Sequence, residues 1–220
     1  MRSFAIIGMS SFGYFLARDI ANEGMQVIAV DLDEEKIEKI KPYVQKAVIA
    51  DGTDRETLKK IGLDDLDGVV VCLGQIEASV LATLHLKELA KELKIRRIFA
   101  KALSEEHGKI LEKIGATEII FPEKDMAFRV ARTLTHENIL DHIPLAEGYS
   151  IVDMAPPSSF LWKSLGELNL RNKYGVQVIV IKEMIPKNVV LVPTANYIIK
   201  DTDVLVIMGK DKDLKKIQGL

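Results

Sequence analysis

The chain has few cysteines and histidines, the residues that form disulfides and most zinc sites. Its 220 residues include one cysteine, Cys72, so no intramolecular disulfide can form and an intracellular setting fits the sequence. Cys72 lies inside an apolar run, where a thiol is usually inert core. The 4 histidines are dispersed, and no two are spaced as H-x-x-x-H, which argues against a zinc site.

Long apolar stretches are also missing. No uninterrupted apolar run approaches the roughly 20 residues that span a bilayer, and nothing near Met1 has the pattern of a signal peptide. The formal net charge is -2, so the molecule as a whole attracts neither nucleic acid nor anionic lipid. The alternating charges of residues 210–216 indicate a solvated face. Any role at a membrane would therefore need a partner.

Short apolar runs alternate with amphipathic helical stretches over the first two thirds of the chain. This alternation predicts βαβ units and a Rossmann-like, doubly wound parallel sheet. The predicted strands are 4–7, 27–30, 47–49, 69–73, 98–100 and 118–121. The predicted helices are 12–22, 34–41, 55–61, 76–93 and 105–114.

A further helix is predicted from Asp125 to His142. Its apolar residues cover more than one stripe, so it either presents one broad buried face or packs on its own sheet and on a second subunit. Pro144 breaks the chain after this helix. We therefore predict a Rossmann-like domain over residues 1–143 and a smaller, β-rich α+β domain over residues 144–220, with Trp162 as a hydrophobic anchor.

The small domain is predicted to contain four strands, one short helix and three turns. The strands are 149–154, 176–181, 189–192 and 204–208, the helix is 164–168, and the turns are 156–157, 187–188 and 200–201. A module of this size is too small to bury a deep pocket by itself.

The first strand runs into a loop of the form G-x-S-x-x-G, from Gly8 through Ser10 to Gly13. Backbone N–H groups at the following helix N-terminus would face a diphosphate, helped by the helix dipole. Gly8 permits the tight turn, Gly13 permits close packing of helix on strand, and the Ser10 hydroxyl could donate to phosphate. Taken alone, such a loop could equally be a chance glycine turn.

Acidic residues follow the next two strands. Asp31 ends the second strand at close to the ~20-residue spacing of a ribose ligand, where its carboxylate would accept from both ribose hydroxyls and repel a 2′-phosphate. The alternative is a solvated aspartate at a strand end. After the third strand, Asp51 could accept from an adenine amino group. Asp33 and Asp54 are predicted to be helix N-caps.

The order of these motifs resembles that of RCK proteins. Residues 8–13, 31, 50–54, 73–74 and 121–126 resemble their N-terminal domain, and residues 164–171, 192–193 and 201–205 resemble their C-terminal domain. The resemblance covers nearly the whole chain. RCK proteins of the KtrA and TrkA kind are cytoplasmic regulatory subunits of membrane potassium channels or transporters, and they are not enzymes.

The resemblance implies a site for an adenine nucleotide, which would be ATP, ADP, AMP or NAD(H). Its implied residues are Gly8, Ser10, Ser11, Phe12, Gly13, Asp31, Leu32, Asp51, Gly52, Thr53, Leu73, Gly74, Ser79, Lys101 and Glu123. Glu123 falls where a carboxylate can reach phosphates, or Mg²⁺ or another divalent cation, at a subunit interface. The family also implies a homodimer that assembles into a tetrameric or octameric ring on a K⁺-translocating membrane subunit of the KtrB or TrkH kind, without nucleic acid.

Several points stay open. KtrA proteins commonly carry arginine at the place of Ser11, so the preference among nucleotides is not fixed. Arg171 and Asn172 either line a site for a small effector, which the resemblance implies to be cyclic di-AMP, or Arg171 forms a surface salt bridge. The alternative functions are an NAD-dependent oxidoreductase and a freestanding nucleotide sensor. The oxidoreductase is disfavoured because residues 144–220 contain no histidine to act as acid or base.

Overall fold

The computed structural model describes residues 2–135 and 139–218. The chain divides into two compact units, Met1–Glu123 and Lys124–Leu220. The first is built on a parallel sheet and the second on an antiparallel sheet, which confirms the predicted fold class.

The first unit has six strands and five helices. The strands are β1 (Ser3–Ile7), β2 (Gln26–Asp31), β3 (Lys46–Ile49), β4 (Gly68–Val71), β5 (Ile98–Lys101) and β6 (Glu118–Ile120). The helices are α1 (Ser11–Asn22), α2 (Glu34–Ile40), α3 (Arg55–Lys60), α4 (Ile76–Leu89) and α5 (Glu105–Ile114). The strand order β3-β2-β1-β4-β5-β6 places the reversal of winding between β1 and β4.

Apolar residues on both faces of the sheet account for this layered arrangement. Ala5 and Ile7 belong to one buried cluster with residues of α3, α4 and α5, whereas Ile6 belongs to a second cluster with residues of α1 and α2. A strand that is buried on both faces must be apolar at successive positions, as β1 is. The predicted caps are confirmed, because the Asp33 and Asp54 side chains accept hydrogen bonds from first-turn amides of α2 and α3.

The second unit is organised around a five-stranded antiparallel sheet in the order β10-β9-β11-β8-β7. The strands are β7 (Ile139–Ala146), β8 (Tyr149–Met154), β9 (Gln177–Met184), β10 (Lys187–Leu191) and β11 (Asp203–Lys210). The helices are α6 (Pro122–Thr135), which begins just before this unit, and α7 (Leu165–Leu168), α8 (Leu170–Tyr174) and α9 (Asp211–Gln218).

The predicted helix over residues 125–142 is wrong in its last part. Helix α6 reaches Thr135, residues 136–138 lie outside the described part of the chain, and β7 begins at Ile139. Pro144 lies inside β7 opposite Ser150 and is tolerated because β7 is an edge strand. The compact units divide after Glu123, whereas the domain boundary predicted from sequence follows residue 143.

Two smaller expectations in the second unit are also wrong. Lys187 and Asn188 begin strand β10 and do not form a turn, because the turn lies before them, at Ile185-Pro186. Trp162 is 68% exposed and lies outside the core, whereas Phe160, at 2%, belongs to it. Among residues 2–135 and 139–218, no helix is both long and apolar enough to cross a bilayer.

Candidate functional site

A cleft opens at the carboxyl ends of the central strands of the first unit. Ile7 pairs with Val30 on one side and with Val71 on the other, so β1, β2 and β4 end at the same level. The cleft measures about 260 Å³ and lies at the reversal of winding, where doubly wound sheets bind their ligands. It is lined by Ile7, Gly8, Ser10, Val30, Asp31, Leu32, Lys36, Ala50, Asp51, Gly52, Thr53, Cys72, Leu73, Gly74, Gln75 and Ala78.

The glycine loop adopts the conformation that its sequence predicts. Gly8 has φ +97°, a left-handed value that favours glycine. A Cβ atom on Gly13 would lie 2.1 Å from the Gly8 carbonyl oxygen, so α1 packs on the loop at a distance that only glycine allows. Ser10 caps α1, and its hydroxyl donates to the Cys72 carbonyl oxygen at 2.9 Å. The single hydroxyl proton of Ser10 is therefore used in this conformation, and donation to phosphate would require the hydroxyl to leave the Cys72 carbonyl.

Asp31 lies where a ribose ligand was expected, and it also holds the loop. Its Oδ2 accepts from the Met9 amide at 2.6 Å, and its Oδ1 accepts from the Asp33 amide at 2.9 Å. A carboxylate has about four acceptor positions, so two remain for ribose hydroxyls. The Lys36 ammonium lies 3.7 Å from Oδ2 and lines the same cleft. This lysine lies in the first turn of α2, and the sequence reading missed it because it belongs to no glycine or acidic motif.

The turn after β3 is braced internally. Asp51 Oδ1 accepts from the Thr53 amide at 2.8 Å and from the Thr53 hydroxyl at 2.7 Å. A Cβ atom on Gly52 would lie 2.3 Å from Ile7 Cγ2, so glycine is needed for the close approach to β1. These three residues and Leu32, Leu73 and Gly74 all line the cleft.

Other predicted ligand residues lie outside this lining. Ser79 is fully buried, and its helical neighbour Ala78 faces the cleft in its place. Lys101 is buried and donates to Glu123 at 2.5 Å, and this bond lowers the pKa of Glu123. Ser11, Phe12 and Gly13 form the first turn of α1, where they contribute backbone amides and not the cleft wall.

Cys72 is buried, and burial raises the pKa of its thiol to about 12, which makes it a poor nucleophile.

A second pocket, of about 210 Å³, lies within the second unit. It is lined by Leu165, Gly166, Asn169, Leu170, Arg171, Val176, Gln177, Val178, Pro193 and Ala195. Arg171 is exposed and forms no ion pair with any residue that the structure describes, which weakens the salt-bridge interpretation. Asn172 does not line the pocket, and its side-chain amide donates to Oδ1 of the pocket residue Asn169 at 2.7 Å.

A polar cluster in the same unit involves Tyr197, which belongs to the same connection as the pocket residues Pro193 and Ala195. Glu183 Oε1 accepts from the Lys200 ammonium at 2.6 Å, and its Oε2 accepts from the side-chain amide of Asn188 at 2.8 Å. The Tyr197 hydroxyl lies 3.0 Å from Glu183 Oε1 and 3.0 Å from Asp203 Oδ2. The bond from Lys200, with those from Asn188 and Tyr197, lowers the pKa of Glu183 from 4.5 to about 2. Nothing in the sequence signals this cluster, because its members come from four separate segments.

The depressed pKa of Glu183 predicts an acid-sensitive contribution to stability. A carboxylate with a lower pKa in the folded state stabilises the fold above its unfolded pKa, and the contribution is lost as pH falls through the folded value. Glu183→Gln should therefore be less stable than the parent at pH 7, and this difference should shrink between pH 4.5 and about 2. Urea unfolding at pH 7, 5 and 3 measures it, with the exposed Glu147→Gln as control. A difference that does not change with pH would contradict the assignment.

The fold defines a two-part architecture, a Rossmann-like unit with a cleft at the carboxyl ends of its central strands, followed by a small antiparallel unit. The TrkA-N domain family matches residues 4–122, and the TrkA-C domain family matches residues 149–220. The chain therefore belongs to the RCK family of Ktr and Trk potassium uptake proteins, as its motifs indicated.

Several relatives extend over nearly the whole chain. It is 40% identical to Ktr system potassium uptake protein A of Bacillus subtilis (strain 168) over 99% of this chain and 96% of that protein. It is 37% identical to Ktr system potassium uptake protein C of the same organism, with the same coverage. A structure described as the GsuK channel bound to NAD shares the fold, with a TM-score of 0.54 and 21% identity over 100% of this chain and 38% of that one.

Proposed function

We propose that this protein is the nucleotide-binding regulatory subunit of a potassium uptake system. The observation that carries the proposal is the pairing of the two family domains in one chain with a cleft built around Gly8, Asp31 and Gly52. The Ktr proteins of Bacillus subtilis, which share this organisation, support the assignment to potassium uptake. The protein would act on the cytoplasmic side of the membrane through a K⁺-translocating subunit of the KtrB or TrkH kind.

The cleft suits an adenine nucleotide of modest negative charge. Its lining contains two carboxylates, Asp31 and Asp51, and one ammonium group, that of Lys36, which already lies near Asp31. Ser11 supplies no charge where related proteins carry arginine, so a third phosphate would have no cation from this chain beside it. This balance favours ADP, AMP or NAD(H) over ATP.

Glu123 by itself does not fit a divalent cation. Its carboxylate is paired with Lys101, and across the described stretches no three His, Cys, Asp or Glu side chains are grouped as a metal would need. Mg²⁺ and similar cations bind through several oxygen ligands. A cation there would need ligands from a second subunit.

Binding would regulate by shifting a conformational equilibrium. A nucleotide can favour one shape of an assembled dimer only to the extent that it binds that shape more tightly than the other. The described residues that line the cleft include no histidine, and both of its carboxylates also brace the loops, so we propose binding without chemical change to the nucleotide.

The apolar surface of α6 and β7 predicts self-association. Leu134 is 79% exposed and Leu140 is 53% exposed, and both lie in elements that present further apolar side chains to solvent, namely Met126, Phe128, Val130, Ile143 and Leu145. An exposed apolar patch of this kind usually marks an interface. We expect light scattering to show a homodimer at least, and a tetramer or octamer as the functional ring.

Replacing Leu134 and Leu140 together by aspartate should shift the parent assembly toward monomer at micromolar concentration. Because both side chains are exposed within one chain, the midpoint of thermal unfolding should fall by less than for a buried Leu→Asp change at Leu111. A monomeric parent, with and without nucleotide, would contradict the assembly.

The pocket at Arg171 is proposed as the effector site. An unpaired guanidinium beside the apolar side chains of Leu165 and Leu170 suits a ligand with phosphates and flat bases, such as cyclic di-AMP. A phosphate would bind the Arg171 guanidinium, and a base would pack against Leu165 and Leu170.

Potassium uptake in intact cells tests the proposed function. Deleting the gene should lower the initial rate of K⁺ uptake at limiting external K⁺ several-fold. The parent gene should restore the rate, and the Asp31→Ala variant should not. Uptake that is unchanged by the deletion would contradict the proposal.

A further inference from the structure

One wall of the Arg171 pocket is a segment without regular secondary structure. Pro193 and Ala195 form this wall, in the connection between β10 and β11. The segment begins at Val192, whose φ is +48°. A β-branched residue in the left-handed region is strained, and such a conformation persists only where the surroundings hold it. The wall must therefore be fixed by contacts from elsewhere in the unit.

Backbone hydrogen bonds join this wall to the opposite one. The Leu165 amide donates to the Tyr197 carbonyl at 3.0 Å, and the Gly166 amide donates to the Ala195 carbonyl at 2.8 Å. A Cβ atom on Gly166 would lie 3.2 Å from the Ala195 oxygen, so the two segments run close together. Leu165 and Gly166 are also pocket residues, so these two bonds set the distance across that side of the pocket.

The Tyr197 side chain anchors the same segment to the sheet. Its hydroxyl lies between Glu183 of β9 and Asp203 of β11, at 3.0 Å from each carboxylate. A phenol has one proton and can donate to one carboxylate at a time. Lys200 donates further hydrogen bonds to both carboxylates. Its ammonium donates to Glu183 at 2.6 Å, and its backbone amide donates to Asp203 at 2.9 Å. Strand β9 also gives Gln177 and Val178 to the pocket.

We propose that Glu183 and Tyr197 are positioning residues for the Arg171 pocket, because they fix the 193–199 wall against β9 and α7 without touching the ligand. This inference rests on the proposed effector site. Loss of either group would let the wall move away, and the effector would then have to order that wall on binding.

Amide hydrogen exchange on the full-length protein tests the positioning directly. The amides of Leu165 and Gly166 report on the bonds across the pocket, and the Ile207 amide in β11 reports on opening of the sheet. Glu183→Gln and Tyr197→Phe should speed exchange at Leu165 and Gly166 about tenfold while Ile207 changes much less. The controls Glu147→Gln and Tyr149→Phe make the same chemical changes at exposed positions and should alter neither.

Calorimetric titration with cyclic di-AMP provides the second readout. Both variants should weaken its binding about tenfold and leave ADP binding to the first unit unchanged. Arg171→Ala should abolish cyclic di-AMP binding without changing the exchange rates.

The outcomes separate the two proposals. A parent that binds no cyclic di-AMP, with exchange faster in the variants, would refute the effector but support the positioning. Exchange at Leu165 and Gly166 that matches the controls, or that rises only in step with Ile207, would overturn the positioning whether or not cyclic di-AMP binds.

Discussion

Gly13→Ala is expected to destabilise the first unit and to remove nucleotide binding. The new Cβ atom would lie 2.1 Å from the Gly8 carbonyl oxygen and 3.1 Å from Cys72 Cβ, so α1 or the loop must move. Overpacking of this kind typically costs about 1–3 kcal/mol, and the contact with rigid backbone favours the upper end. At about 2–4 °C per kcal/mol for a chain of this length, the thermal midpoint should fall by several degrees.

Gly74→Ala is the matched control for this effect. Gly74 lines the same cleft, but its added Cβ atom would have no heavy atom within 4 Å other than those of its own chain neighbours. Differential scanning calorimetry of the nucleotide-free proteins should show a parent-like midpoint for Gly74→Ala and a lower one for Gly13→Ala. Equal midpoints for the two variants would mean that α1 does not pack on the loop as described.

Asp31→Ala is expected to weaken adenine-nucleotide binding by tenfold to more than a hundredfold. A hydrogen bond to a charged group is worth about 1.5–3 kcal/mol, and ~1.4 kcal/mol is a factor of ten in affinity. The change would remove the two proposed ribose bonds and would also free the Met9 and Asp33 amides that order the loop. The loss should therefore lie near the larger figure, and discrimination against 2′-phosphorylated ligands should relax.

Asp31→Asn distinguishes the two roles of this side chain. Asparagine keeps an oxygen that can accept from the Met9 amide but loses the charge, so its affinity should fall between parent and Asp31→Ala. Titration calorimetry with ADP and NAD measures all three proteins. Unchanged affinity in Asp31→Ala would move the nucleotide away from the end of β2.

The periodic parts of the molecule were predictable from sequence. The parallel sheet follows from continuous apolar strands, and Gly8, Asp31 and Gly52 line the cleft because motif spacing reflects where parallel strands end. The error at residues 139–142 has a physical reason. An edge strand leaves one side of its backbone unpaired, so β7 accepts Pro144. The apolar residues of β7 also fit a helical pattern, which is why the sequence predicted a helix there.

Contacts between distant segments could not be read from the sequence. Asp31 also holds the glycine loop, and this role depends on the direction of the Met9 amide. Lys36 reaches the cleft only because α2 starts directly after β2. The Glu183 cluster joins residues of β9, β10, β11 and the connection before β11. Ser79 was expected at the ligand, but helix α4 turns its hydroxyl into the buried face, one position away from the cleft.

Potassium flux into membrane vesicles, measured while nucleotide is titrated, tests most directly whether this protein couples nucleotide binding to potassium transport. The vesicles would carry the K⁺-translocating membrane subunit proposed as the partner, and either the parent or Asp31→Ala would be added. We expect flux with the parent to change over the same range of ADP or NAD concentration in which the nucleotide binds, and flux with Asp31→Ala to require at least tenfold more nucleotide. Flux that stays constant while nucleotide fills the parent's cleft would contradict the account.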